Sequence, residues 1–264
     1  MSTVFPQSDR VIYTQNPLNQ VVCQFRFPII LRIESQPPSE FQELVRARFP
    51  NYSASTSQTL PANIPPEIRK LLLSNPSSSA IDHQFSTADG SWVLTLTKDS
   101  LSLTANKYRR WEEFRQVFDG PLQALKDIYT PSVFNRIGLR YINTIDFNSI
   151  ASEAPLTDLF QPHVLGPLQD LDLAKKCDGT YATSAIRLDE QSSVRLSTGL
   201  GEQEDIATKQ KHQVFIIDAD FHSVTETEIS HANKTIDRFN SESGRLFRWC
   251  ITDKLHQLME PVKP

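Results

Sequence analysis

Apolar and polar residues alternate for about a dozen positions across residues 131–147, longer than the usual strand of about 5–6. Val133, Ile137, Leu139, Tyr141 and Ile145 fall on one face, with Asn135 and Asn143 among them. Arg136, Gly138, Arg140, Ile142 and Thr144 fall on the other. A strand that is apolar on one side and carries two arginines around a glycine on the other is expected at the centre of a sheet. The same period of two runs through Val21, Cys23, Phe25 and Phe27, a strand that Pro28 either ends or interrupts before 29–33. It recurs in 81–87, in Trp92, Leu94 and Leu96, and in 101–104, the last two forming a hairpin through Lys98-Asp99-Ser100. Residues 181–188 and 193–198 make a second hairpin, and 212–222 a further strand.

Helical spacing takes over elsewhere. Phe41, Leu44, Val45 and Phe49 follow the helix-opening Pro37-Pro38. Trp111, Phe114, Phe118, Leu122, Leu125 and Tyr129 form a broad stripe, interrupted by Asp119-Gly120-Pro121, where a kink is predicted. A turn of helix is expected in 155–160. A long final helix is expected over about 226–259, bent where Ser241-Glu242-Ser243-Gly244 weakens it. Residues 1–19 read as an extended arm. Residues 51–64 read as an exposed loop and 65–74 as a short helix, making 51–79 an insertion in the first half.

Strands followed by a long helix occur in both halves, 1–150 and 151–264. That order predicts an α+β protein, a mainly antiparallel sheet with long helices on one face, built as two similar halves or one unit. The 264 residues are 39% hydrophobic, enough for one good core or two smaller ones in contact. With 27 basic and 31 acidic residues the net charge is −4, so no global basic field favours nucleic acid. Three cysteines without CxxC spacing argue against a disulfide scaffold or zinc site. The first ten residues lack an apolar segment behind a basic start, and no apolar run is long enough to span a bilayer. A cytoplasmic protein is expected.

Four stretches together carry a resemblance: residues 16–27, Tyr108-Arg-Arg-Trp-Glu-Glu-Phe114, Asn135-Arg-Ile-Gly-Leu-Arg-Tyr-Ile-Asn143 and Phe215-Ile-Ile-Asp-Ala-Asp-Phe221. In that order the chain resembles a sporadically distributed bacterial protein family of about this length, from which it departs at Gln20, where an acidic residue is expected. The resemblance implies no catalytic residues. Its patchy distribution associates it with defence or toxin neutralisation.

Arg136 and Arg140, about 13 Å apart along the strand with Gly138 between them, suit bidentate capture of an anion. The competing reading pairs each with an acid from a neighbouring strand, and it is favoured because buried charges are usually paired. Asp218, Asp220 and His222 share one strand face and present metal-ligand chemistry. Alternate strand residues lie about 6.6 Å apart, too far for all three to reach one ion. Pairing of these aspartates with Arg136 and Arg140, or with Arg187 or Arg195, is the simpler expectation. Tyr108 to Phe114 interleaves aromatics with Arg109 and Arg110, either a nucleic-acid contact or a helix start with Trp111 and Phe114 in the core. Cys23 and Cys250 are expected in the core and Cys177 in reach of solvent. No nucleotide-loop or hydrolase signature occurs.

The reading that follows is a non-enzymatic interaction protein that binds a partner protein, an accessory, immunity or antitoxin component of a bacterial defence system, with no cofactor and no metal. The alternative is a protein that binds or processes a phosphate-containing ligand or nucleic acid through Arg136 and Arg140 with Asp218 and Asp220, and a third reading is a small-molecule sensor with its site in the cleft between sheet and helices.

Overall fold

The computed structural model describes residues 4–57, 80–150, 154–204, 209 and 211–263. The predicted helix in 65–74 lies outside them. The structure is α+β. Its centre is a nine-stranded sheet of β2 (Leu18–Arg26), β3 (Asn51–Ser57), β4 (Ala80–Ser86), β5 (Trp92–Thr97), β6 (Ser100–Ala105), β7 (Arg136–Asp146), β8 (Thr180–Arg187), β9 (Ser192–Glu204) and β10 (Lys211–Ser223). The order is β3-β4-β5-β6-β2-β7-β10-β9-β8, and every neighbouring pair is antiparallel. A separate two-stranded ribbon joins β1 (Ile12–Tyr13) to β11 (Pro261–Val262), tying the two ends of the described chain together.

Helices α1 (Leu31–Ser35), α2 (Ser39–Val45) and α3 (Trp111–Tyr129) belong to the first half. Short helices α4 (Phe147–Ile150), α5 (Leu156–Leu159), α6 (Pro162–Leu165) and α7 (Leu171–Ala174) precede the second meander. Then come α8 (Ala232–Cys250) and α9 (Asp253–Leu258). The chain order is therefore strand, short helices, three-stranded meander and 19-residue helix, twice: β2 to α3, then β7 to α8, with β3 as an extra edge strand. The opening strands β2 and β7 of the two repeats lie side by side, with Cys23 opposite Leu139.

Side-chain alternation explains why the helices occupy one face. Val21, Cys23 and Phe25 of β2, Ile137, Leu139 and Tyr141 of β7, and Phe215, Ile217, Ala219 and Phe221 of β10 are buried together. They meet the apolar stripes of α3 and α8: Phe25 packs on Phe118 (ring centroids 5.5 Å apart) and Phe221 on Phe239 (6.2 Å). Further along the same face Phe41 of α2 packs on Phe85, and Phe160, just after α5, stacks on Phe215. Burying one such aromatic contributes about 1.5–3 kcal/mol. Among the described residues no helix is long and apolar enough to cross a membrane.

Several local expectations are corrected. Residues 51–57 form strand β3 instead of a loop, an edge strand of Asn, Tyr, Ser, Ala and Thr without an apolar face to betray it. Of the two readings at Pro28 the structure has the strand ending there, β2 closing at Arg26 and residues 31–35 turning into helix α1. Helix α3 runs unbroken through Gly120 and Pro121; Pro121 is buried within the stripe, and the missing donor removes one bond from a well-packed helix. The final helix is uninterrupted at Ser241–Gly244 and breaks at Ile251 instead, which is extended and bridges to Phe160. Thr252 then caps α9 by accepting from the Leu255 amide. Cys250, Ile251 and Leu255 are buried on both sides of the break, so apolar spacing runs through it unchanged.

Candidate functional site

Residues that alternate away from the helices form the open face of the sheet. In the β7–β10 register Asp220 faces Arg140, Asp218 faces Ile142 and His222 faces Gly138. The five charged and imidazole side chains of the sequence-defined site, with Gly138, thus occupy one patch of two adjacent strands.

The charges close on one another. Arg140 donates from Nε to Asp218 Oδ1 (2.7 Å) and from Nη2 to Oδ2 (2.5 Å), a bidentate pair. The aspartate side chain is 10% exposed and the arginine 48%. Hydrogen bonding to Asp218 raises the pKa of Arg140 above its ordinary value. Arg136 donates from Nη2 to both carboxylate oxygens of Asp220, at 3.0 and 2.8 Å. To reach that far along the neighbouring strand it lies across Gly138, where an added Cβ would collide with its guanidinium. Glycine is needed here for close approach of a side chain from the same strand. Arg26, opposite Arg136 on β2, pairs with Asp99 (2.8 Å). His222 Nδ1 lies 3.1 Å from the carbonyl oxygen of Asp220. No group of three His, Cys, Asp or Glu among the described residues is placed to hold a metal ion. Asp189 pairs with Arg238 and accepts from Gln191 N and Ser192 Oγ.

The cysteines fill structural positions. Cys23 and Cys250 are buried, and burial pushes both thiols up. Cys177 is half-buried and donates to the Gly179 carbonyl (3.4 Å). Trp111 and Phe114 are in the core, whereas Arg109 and Arg110 are exposed.

A second constellation, on the helix side, is built from segments far apart in sequence. The N-terminal arm is pinned by buried Phe5 against Trp249 (5.4 Å) and by the β1–β11 ribbon. Tyr13 adds an edge contact to Phe247 and a hydrogen bond to His256 Nδ1 (2.8 Å), and burial pushes its hydroxyl up to about 12. Between these anchors the arm roofs a cleft of about 490 Å³, walled by the start of α3, the middle of α8 and the core-side residues Tyr141 and Asn143 of β7. The Tyr141 hydroxyl donates to Asn240 Oδ1 (2.8 Å), and burial holds its pKa well above the usual phenol value. Tyr108 stands edge-on to Tyr141 (5.9 Å), and Trp111 Nε1 donates to Asp237 Oδ1 (2.9 Å). Arg115 crosses between the long helices, pairing with Asp119 (2.9 Å) and approaching Asp237 (3.8 Å).

Sequence reading did not assemble this cleft. The available signals were polar interruptions of apolar faces: Asn143 on the core side of β7, and Asn240, Ser243 and Gly244 within the stripe of α8. The stretch read as a helix bend is a cleft wall. No protein-family model matches the chain, and no curated protein matches it.

Proposed function

We propose that the chain is a non-enzymatic interaction protein that takes an extended, acid-bearing segment of a partner protein onto the edge of β8, which no other described strand pairs. The supporting observation is the character of that edge. β8 closes one end of the sheet, pairs with β9 over its eight residues, and is exposed at Tyr181 through Ala185. Natural sheets blunt such edges with proline, lysine or inward-pointing charge. Thr180-Tyr-Ala-Thr-Ser-Ala-Ile-Arg187 carries none of these, its single charge being the terminal Arg187. Strand addition supplies backbone hydrogen bonds for affinity and leaves specificity to side chains on alternate faces. On the open face those side chains are Tyr181, 60% exposed, and Arg187 with Arg195 of the neighbouring β9. Neither arginine enters an ion pair among the described residues, which suits an acidic group on the incoming strand. An immunity, antitoxin or defence-accessory role, as the resemblance implies, is a role of this type, exerted by occupying a partner.

The test compares wild type with T183K/A185K, which installs the natural edge guard on exposed positions. Each is used as bait in its native host, and the recovered complex is followed by hydrogen exchange. The expected result is a partner held by wild type and lost from the variant, with exchange slowed at residues 180–187 in the complex. Recovery of the bare protein, a partner retained by the variant, or unchanged exchange at β8 would overturn the proposal.

A further inference from the structure

We propose that the cleft beneath the N-terminal arm binds a small molecule in which a planar ring is joined to an acidic group. Its volume, about 490 Å³, lies in the range of organic-ligand pockets, about 300–1,000 Å³. Five aromatic side chains line it: Tyr13, Tyr108, Trp111, Tyr141 and Phe247. Such walls favour a flat ring by stacked or edge contacts. Inside, the polar groups are held before any ligand arrives. Asn240 is fixed by the Tyr141 hydroxyl, Asp237 by the Trp111 indole, and Asn143 donates to the Ile217 carbonyl (3.3 Å). A site fixed in this way loses little freedom on binding.

The cations point to the acid. Every basic residue lining the cleft is an arginine, and three of the five are already engaged. Arg10 pairs with Glu112 (2.7 Å), Arg245 with Glu242 (2.7 Å) and Arg248 with Asp253. Arg109 and Arg110, at the mouth beside Tyr108 and Trp111, are exposed and enter no ion pair among the described residues. A carboxylate or phosphate held by these planar forks, with its ring against the adjoining aromatics, satisfies both halves of the site. The site is independent of the β8 edge, because it uses none of the same residues.

Calorimetric titration of the whole chain with AMP and with indole-3-acetate separates a nucleotide from an aromatic carboxylate, the two sources of this chemistry. Adenosine and inorganic phosphate supply the ring and the acid of AMP separately, and indole and acetate supply those of indole-3-acetate. At least one of the two ring-plus-acid probes is expected to bind at least ten-fold more tightly than either half. R109A/R110A is expected to weaken that probe at least ten-fold with an unchanged melting temperature. N240D, which sets a carboxylate inside the cleft, is expected to weaken it too, and the distant R46A to leave it unchanged. The proposal is overturned if neither probe binds, if a separated ring or acid binds as well as its own joined compound, or if R109A/R110A binds like wild type.

Discussion

The two faces of the central sheet handle polar residues in opposite ways. On the open face the polar groups sit on adjacent strands, and opposite charges meet within a few residues of register. Arg136, Arg140, Asp218 and Asp220 form two pairs that leave no net charge for a ligand to answer. On the helix face the polar groups come from the arm, from the approach to α3, from β7 and from α8, and they surround space. Complementary charges in neighbouring strands are a structural device. Polar residues that interrupt an apolar stripe mark a place where the core is not filled.

The largest expected effect lies on the open face and is asymmetric. Arg140→Met leaves the Asp218 carboxylate, almost wholly covered, without its partner, and is expected to cost about 2–4 kcal/mol in urea unfolding. Asp218→Asn leaves an arginine that is half in water and should cost only about 1 kcal/mol. Equal costs would mean that the uneven burial of the two partners does not set the penalty for breaking the pair. Next comes Tyr141→Phe in the cleft, which strips the donor from Asn240 and should cost about 1–2 kcal/mol without altering the sheet. A neutral outcome would indicate that the cleft polar groups are not preorganised. Gly138→Ala displaces the flexible guanidinium of Arg136 from its path to Asp220, at about 1 kcal/mol, because the yielding group is a side-chain end and the pair is only partly buried. A crystal structure of that variant with the Arg136–Asp220 pair intact would contradict the reading of Gly138.

The gentlest effect is protonation, and it belongs to the helix face. His83 sits on the core side of β4. Its Nε2 lies 3.1 Å from the Ile33 carbonyl, which can only accept, so that nitrogen carries the proton and Nδ1 accepts from the Tyr52 hydroxyl (3.0 Å). His163 stacks on Trp249, and His256 is bonded to Tyr13. Burial lowers the pKa of all three below the ordinary 6.5, with Arg248 adding to the effect at His256. The unfolded chain therefore takes up these protons first. Their contribution to stability is present above about pH 6.5 and is lost as the pH falls below it. Urea midpoints should drop from pH 7.5 to pH 5.5, and H83Q/H163Q/H256Q should flatten the drop; an unchanged slope in the triple variant would remove these histidines as its source.

Much of the sheet is visible in the sequence because its core-facing strands alternate cleanly, as in β2, β5 and β7. The stripe of α3 is equally plain. Strand β3 is not, since an edge strand built mainly of Ser, Thr and Asn has no apolar alternation to mark its period. The break at Ile251 is hidden because buried residues continue across it. The Arg–Asp pairing is legible because opposite charges share outward positions on two long strands, needing only register to meet. The cleft is not, because Tyr13, Tyr108, Tyr141 and Asn240 converge only after two repeats and an arm have folded together. Local pattern reports which face a residue takes, not which distant residue stands opposite it.

On the open face Arg140 is held by Asp218 and Arg136 by Asp220, while Arg187 and Arg195 stay unpaired among the described residues. A double-mutant cycle over Arg140→Met and Asp218→Asn, read by urea unfolding, measures the first of these pairs directly. The structure predicts a coupling of about 1–2 kcal/mol, within the range for residues in contact and reduced by the solvent around Arg140. Additive single effects, with no coupling between the two positions, would contradict it.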